Sequence, residues 1–181
     1  MMKILMMLFL FLMLASTAPA QKAGSRELTA LDFFQIQQLV AKYARAIDTC
    51  SNNGYDYADL FTPDGFFAPS MNGKIVLKFQ GRERLAEASG GGVQGCKNVP
   101  WIKEGVRHIY VNHIITPTAE GAAGTVDMLM IGLGGDPNKM EYDGYYEDVY
   151  VRAPAGWRFK SRTHHALLDQ GKRVTPEPVK R

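Results

Sequence analysis

VRHIYVNHIIT (Val106–Thr116), GTVDMLMIGL (Gly124–Leu133), MEYDGYYEDVYVR (Met140–Arg152) and WRFKSRTHH (Trp157–His165) decide the fold. Each segment is rich in Val, Ile, Tyr and Thr. Turn formers separate them: Glu120-Gly121, Gly134-Gly135-Asp136-Pro137-Asn138 and Pro154-Ala155-Gly156. Consecutive strands without intervening helices pair antiparallel, as a meander. Upstream the period changes. Thr29 followed by Asp32 forms a capping-box-like start, and Phe33, Ile36, Val40, Tyr43 and Ile47 then recur at three- and four-residue spacing. That stripe predicts one long amphipathic helix over Thr29–Cys50, ending at Ser51-Asn52-Asn53-Gly54. A second helix is expected at about Tyr55–Phe61, closed by the turn Thr62-Pro63-Asp64-Gly65. Short strands follow at Phe66–Ala68 and Lys74–Phe79, and a third helix at Arg82–Ala88. The class is α+β: a curved antiparallel sheet wrapped around a long N-terminal helix, a cone with a central pocket.

The first residues read as a secretory leader. A basic start precedes the apolar run Ile4–Leu14, which is too short for a stable membrane anchor, and Ala18-Pro19-Ala20 ends in an A-x-A pattern. The expected organisation is a leader over 1–20, one domain over 21–168, and a loosely held polar tail over 169–181. Export places the mature chain in the periplasm or outside the cell, away from the membrane. The net charge of +3 is scattered, with no basic groove interleaved with aromatics, so nucleic acid is not an expected partner. Two thiols in an oxidising compartment can pair, and the spacing leaves open a Cys50–Cys96 bridge or two separate thiols. The run Gly90-Gly91-Gly92 with Gly95 reads as a flexible loop or lid, or a plain linker. It lacks the following Lys-Ser or Lys-Thr of a phosphate loop.

Asp48 stands in the last turn of the long helix, one turn beyond Ala44 and Ala41, which leave space rather than fill it. The residues alone fit either a pocket carboxylate or a solvated helix-end Asp. Strict alternation from Val106 puts His108, Tyr110 and Asn112 on one face, a polar set that is costly to bury unless paired. It puts His113 on the other. Tyr146 and Asp148 share a face two strands on. His164 and His165 are adjacent on a strand and point to opposite sides, so no metal site is expected, and no cofactor.

Tyr43-Ala44-Arg45-Ala46-Ile47-Asp48, Tyr57-Ala58-Asp59-Leu60-Phe61-Thr62-Pro63-Asp64-Gly65 and Gly81-Arg82-Glu83 fall in a familiar order. Arg107-His108 with Asn112-His113, Tyr145-Tyr146-Glu147-Asp148 and Gly156-Trp157-Arg158-Phe159 continue it. Together they resemble the SnoaL-like branch of the nuclear transport factor 2-like superfamily over roughly 28–165. The superfamily includes scytalone dehydratase, steroid isomerases, polyketide cyclases and pockets without known catalysis, so the fold alone does not select a reaction. The resemblance puts Asp48 where scytalone dehydratase-like proteins carry an active-site Asp, and His108 at a pocket histidine. Tyr146 and Asp148 stand where the dehydratase has Ser and Asn, and Asp127 roughly where it has a second histidine. A second pocket carboxylate, Asp148, either repels Asp48 or pairs with His108.

The expected function is a cofactor-independent lyase, dehydratase or isomerase acting on a small hydrophobic compound, aromatic or polycyclic. Asp48 and His108 exchange the proton, while Tyr43, Tyr110, Asn112, Asp127, Tyr146 and Asp148 line the pocket. The alternatives are a binding protein for a small apolar ligand and a dimerising interaction domain. A homo-oligomer, dimer or trimer, is expected. A closed cavity holding Asp48 and His108 within about 3–5 Å favours the enzyme.

Overall fold

The structure, a computed structural model, describes residues 27–96, 99–169 and 172–173. The expected leader lies outside the described residues, as does most of the expected tail. The long helix, α1, is Ala30–Thr49, and its capping box is complete. Thr29 Oγ1 accepts from the Asp32 backbone N–H, and Asp32 accepts from the Thr29 N–H at 3.0 Å. Ile36, Val40, Tyr43 and Ile47 are buried along one stripe, with Leu39 and Ala46 beside them. Phe33, read from sequence as the first residue of that stripe, is instead 36% exposed, and Phe34 beside it is 56% exposed. The helix ends at Cys50 in a left-handed conformation.

A short helix α2, Tyr55–Ala58, leads into β1, Phe61–Met71, and then β2, Lys74–Ile75, β3, Phe79–Gln80, and α3, Arg82–Ala88. The expected turn at Thr62–Gly65 is therefore part of a strand. A register shift between Phe61 and Phe66 absorbs its Pro and Gly. A third short segment, α4, covers Pro100–Glu104. The long strands follow as β4, Arg107–Pro117, β5, Gly121–Ile131, β6, Met140–Ala153, and β7, Gly156–Ala166.

In the sheet β4–β5–β6–β7 is the expected antiparallel meander, but β1 pairs with β7 in parallel. The sheet is therefore mixed, with β1 added in parallel at the β7 edge of the meander. A small hairpin, β8, Leu168–Asp169, with β9, Lys172–Arg173, stands where the tail was expected. The core lies between the buried stripe of α1 and the concave face of the sheet, where Val126, Met128, Tyr146, Tyr150, Trp157 and Phe159 point inward.

The glycine run is packed tightly against the end of α1. A Cβ on Gly91 would lie 2.0 Å from the Asn53 carbonyl oxygen, so only glycine permits that approach. Asn53 Nδ2 also donates to the Gly92 carbonyl at 2.8 Å. Cys50 and Cys96 are disulfide-bonded, with Cα atoms 6.0 Å apart, tying this loop to the helix end two residues beyond Asp48.

Candidate active site

Two elements far apart in sequence meet at Asp48. Its side chain is 6% exposed and that of His108 8%. His108 Nδ1 lies 2.6 Å from Asp48 Oδ1, and the His108 backbone N–H donates to both carboxylate oxygens at 3.2 Å. These donors offset the unfavourable position of a carboxylate at the negative end of a helix. An ionised carboxylate accepts only, so Nδ1–H is the donor of this contact, and in the neutral imidazole Nε2 is then the acceptor.

His108 lines a groove of about 490 Å³ between α1 and β4, open to solvent. Val40, Ala41 and Ala44 form its helix wall, and Tyr110, Val126 and His113 lie across from them. The small side chains at Ala41 and Ala44 keep the helix and strand apart enough to leave this space.

Strict alternation fails within β4. Asn112 has a φ of +55°, a left-handed conformation that Asn tolerates better than most residues, and the β4–β5 register shifts there. Asn112 and Ile114 consequently turn outward, whereas His113 and Ile115 turn inward. Asn112 reaches only the groove mouth, where it donates to Asp127 Oδ2 at 2.8 Å. Asp127 alternates with the inward-facing Val126 and Met128 and lies on the outer side of the sheet. These two expected pocket residues form a surface pair.

Asp148 does not pair with His108. It is buried beside Arg162, whose Nε lies 3.5 Å from Asp148 Oδ1, both side chains being 0% exposed. Asp148 Oδ2 accepts from the Tyr150 hydroxyl at 2.6 Å, and His113 Nε2–H donates to that hydroxyl at 3.0 Å. Burial pushes the Asp148 pKa up to about 6, against the pull of Arg162 and the Tyr150 bond. Burial, reinforced by Arg162, pushes His113 down to about 4, so it is neutral. Tyr43 is wholly buried, its hydroxyl 3.2 Å from that of Tyr57, and Tyr146 packs against it with centroids 5.9 Å apart. Both belong to the packed core and not to the lining of the groove.

Arg162 is the residue that sequence reading missed. Counting from Trp157 by alternation puts it with Arg158 and Lys160 on a polar face. A register shift opposite Val149 and Tyr150 inserts one extra residue in β7 and turns Arg162 inward. Its guanidinium carbon lies 4.0 Å from the Tyr43 ring centroid, 4.1 Å from Tyr146, 4.8 Å from Phe159 and 5.0 Å from Tyr110.

A helix packed into a curved sheet, with a buried acid–histidine pair beside a groove, defines a cone-shaped α+β pocket protein. The SnoaL-like domain family model matches residues 29–163, and the chain belongs to that family. No curated protein matches the sequence. Among solved structures, an NTF2-like protein with a cystatin-like fold from Novosphingobium aromaticivorans is 21% identical, with a TM-score of 0.58. The alignment covers 76% of this chain and 82% of that one. A protein of the same organism provisionally assigned as a scytalone dehydratase is 21% identical over 74% of this chain and 82% of its own, TM-score 0.56. ActVI-ORFA from Streptomyces coelicolor is 17% identical over 74% and 96%, TM-score 0.57. At these identities the likeness is one of fold.

Proposed function

We propose that this chain is a cofactor-independent lyase or isomerase that moves a proton on a small hydrophobic compound, aromatic or polycyclic, bearing a hydroxyl or carbonyl group. The 2.6 Å contact between His108 Nδ1 and Asp48, beside an open groove, carries the proposal. Asp48 holds the imidazole in one tautomer and steadies the imidazolium that forms when Nε2 takes a proton. In water elimination from a β-hydroxy ketone, Nε2 removes the proton α to the carbonyl and leaves an enolate. The enolate then expels the β-hydroxyl, which departs as water with the proton returned by the imidazolium. Isomerisation uses the same first step and returns the proton to a different carbon. Tyr110, on the His108 face of β4 and in the groove lining, is the residue whose hydroxyl would bind the substrate oxygen. Export is part of the proposal: the leader-like N-terminus and the Cys50–Cys96 bridge both suit an oxidising compartment.

The test uses 3-hydroxy-1-tetralone, which loses water to give fluorescent 1-naphthol. The wild-type protein is expected to accelerate that loss. Asp48→Asn and His108→Ala should each lower the rate by about two orders of magnitude or more. The double variant should cost little more than the worse single one, because the pair acts as a unit. Near-wild-type rates in both folded single variants refute the assignment. No acceleration by the wild type leaves the groove as a ligand-binding site alone.

A further inference from the structure

The guanidinium of Arg162 is an unfinished site. The side chain is 0% exposed, yet none of its three nitrogens has a hydrogen-bond partner. Asp148 is close enough to balance the charge, but at 3.5 Å and poorly aimed it leaves its own Oδ1 without a hydrogen bond. The Tyr110 hydroxyl is likewise buried, and the side chain that it interacts with is Tyr146, which leaves it no charged acceptor. Ring faces compensate part of the lost hydration through cation–π attraction, but they do not replace oxygen acceptors for five N–H groups. Buried donors of this strength are costly when left unmade, and they favour any ligand that supplies an acceptor.

The position of these donors says what that ligand is. Tyr110 lines the groove together with His108, and its ring is the layer next to Arg162, centroid to guanidinium 5.0 Å. A ligand oxygen that enters beside His108 therefore meets the Tyr110 side chain first, with its buried hydroxyl and then the positive charge beyond that wall. Burial raises the Tyr110 pKa well above its ordinary value, so the hydroxyl stays a donor. The apolar groove wall of Val40, Ala41, Ala44 and Val126 suits a conjugated ring attached to that oxygen.

We infer that Tyr110 and Arg162 form an oxyanion subsite, and that the natural ligand carries or develops negative charge on an oxygen conjugated to a planar ring: an aryl carboxylate, a phenolate or an enolate. This rests on the groove beside His108 being the ligand site, but it does not require turnover. An enolate formed by proton removal at His108 is one member of the class, and its charge is stabilised where it appears.

The probes are 2-naphthoate and its neutral isostere 2-naphthamide, titrated against the wild-type protein by calorimetry. Naphthoate is expected to bind about tenfold tighter or more, as buried charged hydrogen bonds require. In Arg162→Met the preference should fall to within about threefold. Tyr110→Phe should weaken naphthoate about five- to tenfold and leave naphthamide nearly unchanged, and it decides the matter if Arg162→Met does not fold. Equal affinities in the wild type, binding of neither probe, a preference that survives Arg162→Met, or an unchanged Tyr110→Phe overturns the inference. Tetralone dehydration without an anion preference sinks this inference and leaves the proposed function standing. Preference without dehydration does the reverse.

Discussion

Replacing Asp148 with Asn removes the carboxylate that, among the described residues, pairs with a guanidinium that is 0% exposed. The charge left behind can neither reach water nor lose its proton, so the cost should be about 3–5 kcal/mol. Arg162→Met behaves differently, because its orphan can neutralise itself. Asp148 already has a pKa of about 6, raised chiefly by burial and held down by Arg162, so losing Arg162 raises it further. A carboxyl whose folded pKa lies above its unfolded value stabilises most below the unfolded value, and that stability is lost as pH rises through the folded pKa. In the wild type this amounts to roughly 3 kcal/mol lost between about pH 4 and pH 6. His113 opposes it. Its folded pKa of about 4 lies below the ordinary value, so it costs stability as pH falls through the same window. Discounted for partial exposure, that is about 2 kcal/mol, and the wild type should be nearly flat there. Arg162→Met breaks the balance, losing about 1–2 kcal/mol at pH 5 and about 3 kcal/mol or more at pH 8. The double variant should return to within about 2 kcal/mol of wild type, because no uncompensated charge remains. Urea unfolding followed through Trp101 and Trp157 fluorescence at both pH values measures all four proteins. Additive single effects, or an Arg162→Met cost that ignores pH, refute the reasoning.

Two further predictions concern the frame of the site. Reducing the Cys50–Cys96 bridge, which spans a sequence separation of 46, should lower stability by about 2–4 kcal/mol, read as a denaturant midpoint with and without reductant. A loss below about 1 kcal/mol would mean that the bridge does not clamp the end of α1. Expressed with its own N-terminus, the protein should be recovered outside the cytoplasm beginning at or near Gln21; soluble cytoplasmic protein retaining Met1 would end the export reading.

Local signals were legible wherever one segment's own pattern decides its structure. The α1 stripe, the Thr29–Asp32 box, the Arg82–Ala88 helix and the four long strands depend on period, capping and turn chemistry, which neighbours in sequence carry. The small residues Ala41 and Ala44 do border a groove, since a missing side chain is visible in sequence, but it is His108 and not Asp48 that lines it. Asp48 and His108 were nominated by resemblance. Their contact, across a sequence separation of 60, exists only once α1 lies against β4.

Register was decided by the tertiary structure. A strand's side-chain period is two, so a single extra residue moves everything beyond it to the other face. That is why Asn112 left the expected pocket and why His113 entered the interior, whereas Asp127, put in the pocket by resemblance, simply alternates with Val126 and Met128. It is also why Arg162, indistinguishable in sequence from the surface cations Arg158 and Lys160, became the buried charge at the centre. The extra residue is imposed by pairing with β5 and β6, and no single strand records it. The parallel entry of β1 beside β7 is of the same kind. Sequence by itself determined which segments would be helix and strand and which small residues would open a groove. The sheet's pairing determined which polar groups face that interior, because burial without a partner is a property of the assembled neighbours and not of any one residue.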